Sequence, residues 1–346
     1  MFPNFPNSMP NLRSLTLAMR GGCWDSSFDP FESPAHTLEY LSLVDIPLSP
    51  SLLELRTLTA LTLHLYQFNL PLDTLLTFLE ENRSLRSADL WIDFIEPSLR
   101  ISQRQVMKGN QLQYLSIECG SAVDAQALVA NIPLQRGAHL KILSHPSIGL
   151  DDILSGIPTT HLLNLSSPTF MRYSSYQGEI RLDGPNGSFS FDRYICPGGH
   201  FVGFGDLPLP SLTNIREFHF IHLEAMGRAA HNSVKFCPSS FPALETLAIE
   251  CDADIAHLLS PLLSNPSSSP SLKTLAFLNC DLSGDFMKEL TRFASDRKNT
   301  TSAWLHQVLI LHKDGRFPSA LSVHKLRHCV GIVDVRMEDG LPADLT

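Results

Sequence analysis

Chemistry needs nucleophiles, acids, bases or metal ligands at workable spacings, and this 346-residue chain offers few. His324 and His328 stand four apart in His-Lys-Leu-Arg-His, the spacing of a zinc-protease helix, but Lys325 fills the place of the general-base glutamate. No third ligand follows at a suitable distance, so the pair reads as solvated helix surface. Cys196 and His200, with Cys237 beyond, lack the second C-x-x-C half of a structural zinc site. Asp151-Asp152 and Asp252-Ala253-Asp254 pair carboxylates at an expected helix start and a turn, where helix capping accounts for them. Cys119 and Cys251 each close an Ile-Glu-Cys run and read as small apolar fillers rather than reactive thiols. No G-x-x-x-x-G-K-[ST], G-x-S-x-G or G-x-G-x-x-G occurs. These patterns predict a protein without catalysis, cofactor or metal.

The elements that position side chains are plainer. Leu272 to Leu282 reads L-x-x-L-x-F-x-x-C-x-L, with alternation that buries Leu275 and Phe277 and turns Thr274, Ala276 and Leu278 to the other side. Phe286, Leu290 and Phe293 follow at helical spacing within 283–294. The same template recurs from Leu12, Leu38, Leu58, Leu85, Leu112 and Leu140, then from Ile215 and Leu244, at steps of 20 to 29 residues. That period belongs to leucine-rich repeats, in which one strand and one helix form a unit that only stacked neighbours can bury. Helices are expected over 73–81, 124–131 and 255–263. The turn position is irregular: Cys280, Asp93 and Asp252 in some repeats, Ile46, Tyr66 and Gly120 in others. The expected fold is α/β: one leucine-rich-repeat solenoid over residues 1–346, a curved horseshoe with a parallel sheet on its concave side and helices on its convex side.

Two stretches depart from the repeat. Glu179 to Asp183 and Ser188 to Tyr194 alternate around Gly184-Pro185-Asn186-Gly187, which predicts a β-hairpin inside an insertion over 166–210. A degenerate repeat with a grown loop is the alternative. Residues 303–346 predict a closing β-α-β unit: a strand over 307–311, a turn at Lys313-Asp314-Gly315, a helix over 319–329 with Leu321, Leu326 and Val330 on one face, and a strand over 331–337. Ser264 to Ser271 is expected as a surface loop.

A solenoid presents the residues that alternate with its buried leucines. These are Tyr40, His64, Asp89, Trp91, Tyr114, Glu118, Glu217, His219 and Glu250. Aromatic side chains beside carboxylates suit a basic, partly apolar protein partner, because aromatic anchors dominate interface energies. A net charge of −9 argues against a nucleic-acid backbone. No apolar run approaches the roughly 18 residues of a membrane span. Seven cysteines without a C-x-x-C pair suit a reducing compartment. An intracellular protein, in cytoplasm or nucleus, is therefore expected, and the N-x-[ST] triplets at Asn82, Asn164, Asn186 and Asn299 are read as chance.

The repeats, together with Trp304-Leu305-His306-Gln307-Val308-Leu309-Ile310, Phe317-Pro318-Ser319, Val333-Asp334-Val335-Arg336 and the Gly184–Ser188 turn, resemble fungal F-box-like leucine-rich-repeat proteins. The resemblance implies the substrate-recognition half of a ubiquitin-ligase adaptor, whose F-box helices dock a cullin-ligase adaptor protein. Met1 lies about ten residues before the first repeat, so that adaptor contact requires an F-box upstream, and further residues there are expected. A truncated or decayed relative without a partner, and an enzyme using 166–210 as a lid, stay open as alternatives.

Overall fold

The computed structural model describes residues 11–19, 37–65, 70–92, 95–96, 111–132, 134–145, 148, 150–155, 157, 167–174, 178–193, 212–222, 236, 238–251, 255–300, 304–312 and 317–337. The chain folds as two compact units, one of residues 1–166 with 186–194, the other of 167–185 with 195–346.

In chain order, β1 spans Ser14–Ala18, β2 Tyr40–Val44, α1 Pro50–Leu53, β3 Ala60–Leu65, β4 Leu70–Pro71, α2 Leu72–Glu81, β5 Ser87–Ile92, β6 Ile95–Glu96, β7 Tyr114–Cys119, α3 Ala122–Asn131, β8 His139–Ser144 and α4 Leu150–Leu154. Then come β9 Phe170–Ser174, β10 Glu179–Gly184, β11 Gly187–Arg193, β12 Glu217–His222, β13 Thr246–Cys251, α5 Ile255–Ser264, β14 Thr274–Leu278, α6 Gly284–Thr300, β15 Gln307–His312, α7 Ala320–Arg327 and β16 Ile332–Met337. The fold is mixed α/β, and the expected parallel pairing of the strands at Leu247 and Leu275 is present.

In the first unit the ladder runs β1-β2-β3-β5-β7-β8-β11, every pair parallel. β4 and β6 form a separate two-stranded ribbon. The register sets Leu15, Leu41, Leu61, Ala88, Leu115, Leu140 and Phe189 in one row, all buried. This corrects one expectation. Leu140 takes the second apolar position of its repeat, not the first, and Leu143 pairs with Glu118 on the other face. The physical cause is the alternation itself: Leu140 and Ile142 are buried, so residues 139, 141 and 143 must turn away.

In the second unit β9-β12-β13-β14-β15-β16 is parallel, and β10 flanks β9 antiparallel. The 166–210 segment thus contributes ladder strands: β9 beside β12, and β11 beside β8 in the first unit. Its core row runs Leu182, Met171, Phe218, Leu247, Leu275, Val308, Val333, each buried. Phe277 meets Phe286 of α6 edge-on at 5.5 Å, which places that helix over the Phe277 side of the sheet.

Local sequence explains the helix starts. Ser49, Ser121 and Ser319 accept from the amides of Leu52, Val123 and Ser322, and Ser283 accepts from Phe286, each satisfying an otherwise orphaned first-turn donor. At the end of α2, Asn82 is fully buried; its side chain donates to the Phe78 carbonyl at 2.9 Å and accepts from the Leu58 amide at 3.3 Å. An asparagine bridging two repeats inside the core has no room for a glycan.

Three further expectations are corrected. Ala276 and Leu278 turn away from Leu275 and Phe277 as expected, but they are not solvated surface, being 4% and 3% exposed. The side chains paired with Ala276 on the two neighbouring strands, Ala248 and Leu309, flank it and shield so short a side chain, which alternation alone does not describe. Leu321 is exposed, and Val323 joins Leu326 on the buried face of α7. α6 continues past its last apolar pair to Thr300, because Arg297 near its end is itself buried. The Lys313-Asp314-Gly315 turn and the turn residues Tyr66, Asp93 and Asp252 lie outside the described residues.

Gly187 opens β11 at φ +127°, and a Cβ there would lie 2.3 Å from the Ala138 carbonyl oxygen. Only glycine lets β11 close on β8 at this point. Gly187→Ala is expected to cost about 2 kcal/mol, the scale of one strained backbone position. Thermal melts, with amide exchange in β11 as the local readout, check it; wild-type protection in β11 would contradict the close approach.

Candidate functional site

Residues alternating with the buried rows share the open face of each ladder. In the first unit the register aligns Tyr40, Ala60, Ser87, Tyr114 and His139 in one row, Thr62, Asp89, Ser116 and Lys141 in the next, and His64, Trp91, Glu118 and Leu143 in the third. Six of the nine expected site residues therefore occupy one surface here: Tyr40, His64, Asp89, Trp91, Tyr114 and Glu118. Glu217, His219 and Glu250 lie on the open face of the second unit. The structure brings each set together within its own unit.

The first set is bonded internally. His64 Nε2 lies 3.4 Å from Asp89 Oδ2 and packs edge-on to Trp91 with ring centres 5.7 Å apart. The His64 hydrogen bond holds the Asp89 carboxyl below its usual range against the opposing pull of burial, with help from Ser116 and the Lys141 charge. Tyr114 stacks on His139 at 5.2 Å. Sequence reasoning missed His139 and Lys141 because it set their repeat in the wrong register. It also missed Ser188, Ser190 and Asp192 of β11, which continue the three rows. Lys141 Nζ meets Asp192 Oδ2 at 2.9 Å.

His139 Nδ1 lies 2.5 Å from Ser188 Oγ, the spacing of a serine and its base. Its Nε2 faces a second hydroxyl, Ser190 Oγ at 3.4 Å, where an orienting carboxylate would sit in a catalytic triad. The arrangement holds an imidazole flat against Tyr114.

In the second unit, Glu250 Oε1 accepts from Asn279 Nδ2 at 3.3 Å, and burial raises the Glu217 carboxyl above its usual range. His219 is 8% exposed and its Nε2 has no hydrogen-bond partner. Burial, then the charge of Arg172, depresses its pKa to about 4.

The other candidates resolve as follows. His324 on α7 and His328, which caps that helix, are exposed with their Nε2 atoms 3.2 Å apart. Among the described residues no three His, Cys, Asp or Glu side chains are grouped to hold a metal ion. Cys119, Cys251 and Cys280 are buried, and desolvation pushes the Cys119 thiol up to about 12, far from thiolate reactivity. Asp152 is exposed in α4. Cys196, His200, Cys237 and Asp254 lie outside the described residues. Among those described, no helix is long and apolar enough to cross a membrane.

No protein-family model matches the chain, and no curated protein matches it in sequence.

Proposed function

We propose that this chain is a non-catalytic protein-binding scaffold, a leucine-rich-repeat solenoid that docks a partner on the open face of its sheet. The observation that carries this reading is the shared face in the first unit, where Trp91, Tyr114 and His64 stand in adjacent parallel strands among polar side chains. Large rings held by stacking and edge contacts lose little entropy on binding, which is why such residues anchor interfaces. Asp89 and Asp192 already meet His64 and Lys141, so contact area, more than charge, supplies affinity on this face. The resemblance to fungal F-box-like proteins supports an intracellular role as a substrate receptor of a ubiquitin ligase.

Affinity capture from the native proteome tests the reading. Trp91→Ala with Tyr114→Ala is expected to weaken the captured interaction at least about thirtyfold, the scale of one interface hot spot. Val123→Ala, on an exposed helix position, is the control and should leave capture unchanged. Partners lost with the control but kept by the double variant would place the binding surface on the helices instead.

A further inference from the structure

We propose that the open face of the second unit holds a carboxylate-binding site built from Arg172 and His219. The ladder register sets Arg181, Arg172 and His219 side by side across β10, β9 and β12. Like charges directly opposite on neighbouring strands repel, so such a row needs compensation. Arg181 has it, since its Nε donates to Asp183 Oδ2 at 2.8 Å. Arg172 does not: its Nε is buried without a hydrogen-bond partner, and so is the Nε2 of His219. On its other side His219 faces Ala248 and then Ala276, whose methyl groups bring no acceptor to the ring.

Two buried nitrogens left without partners on adjacent strands are costly, and native structures fill such places with water, an ion or a ligand. The chemistry selects which. Guanidinium presents its Nε and one Nη as a planar fork that fits a carboxylate bidentately, and a neutral imidazole adds a single N–H. Burial beside Arg172 keeps His219 neutral, so the site carries one positive charge. That balances a monoanion. Glu217 and Glu250, on the same face of β12 and β13, further disfavour a dianion such as phosphate. The carboxylate is assigned to an acidic side chain or chain terminus of the docked partner, and only that source rests on the scaffold reading.

The test uses the whole chain and sodium acetate, with inorganic phosphate as a parallel arm at constant ionic strength. Nitrogen-edited NMR follows the arginine Nε–H and histidine ring signals, the Arg172 resonance being the one absent from Arg172→Lys. Acetate should shift the Arg172 and His219 signals together, saturably, and at lower concentration than phosphate. His219→Ala should weaken acetate binding at Arg172 at least fivefold. Arg172→Lys, which keeps the charge but loses the fork, should weaken the acetate response of His219 at least tenfold. Linear or absent shifts would overturn the site, tighter phosphate binding would overturn the carboxylate assignment, and an unchanged response in either variant would remove that residue from it. The capture experiment reads Trp91 and Tyr114 of the other unit, so either proposal can fail while the other stands.

Discussion

Arg297→Ala is expected to lower stability by about 4 kcal/mol, the largest single effect in the described structure. Arg297 lies near the end of α6 and is fully buried. Its Nη1 donates to the carbonyls of Pro266 and Ser269 at 2.7 and 2.9 Å, and its Nη2 to that of Leu272 at 2.9 Å. The guanidinium also sits 5.5 Å from the centre of the Phe293 ring. Hydrogen bonds from a charged donor are worth about 1.5–3 kcal/mol each, and truncation would leave three carbonyls without it. Relief from burying a charge offsets part of that sum, since burial lowers the guanidinium pKa. Lysine carries one nitrogen in place of a fork, so Arg297→Lys should recover less than half of the loss. Denaturant melts of the three proteins check this; a loss under about 1 kcal/mol for the alanine variant would mean the contacts are not structural.

The next largest effect is expected at Leu275. It is fully buried between Leu247 and Val308 in the core row, and Leu275→Ala should cost about 3 kcal/mol, within the range for buried leucine truncations. Ala276→Ser probes the opposite face. Ala276 is nearly as buried as Leu275, so its substitution is not the neutral surface change that strand alternation suggests. A hydroxyl placed there should cost about 1 kcal/mol. The ratio between the two variants reads the register, because a one-residue slip would exchange their faces. Equal losses in denaturant melts would overturn the assignment of Leu275 to the core row.

What the amino-acid sequence determined by itself is the repeat: where strands fall, which residues alternate into the core, and where helices follow. Leu12, Leu38, Leu58, Leu85, Leu112, Ile215, Leu244 and Leu272 each precede a strand that pairs as expected, because apolar alternation with a fixed period is a local signal that every repeat restates. The shared face of Tyr40, His64, Asp89, Trp91, Tyr114 and Glu118 followed from the same rule. Where the period failed, so did the reading. Gly137 stands where the other repeats carry a leucine or isoleucine, so His139 and Lys141 were set out of register, and β9 and β11 carry no leucine template at all. Their ladder places depend on partners far along the chain, β12 for β9 and β8 for β11. Tertiary structure alone decided which charges meet. Asp-Arg-Lys near a helix end reads as solvated surface, yet Arg297 is buried because a Ser/Pro-rich loop some thirty residues earlier turns three carbonyls toward it. Arg172 and His219 are likewise neighbours only through strand pairing. Periodicity fixes a side chain's face within its own strand; the company it keeps across the sheet depends on contacts between residues remote in sequence, which no local pattern encodes.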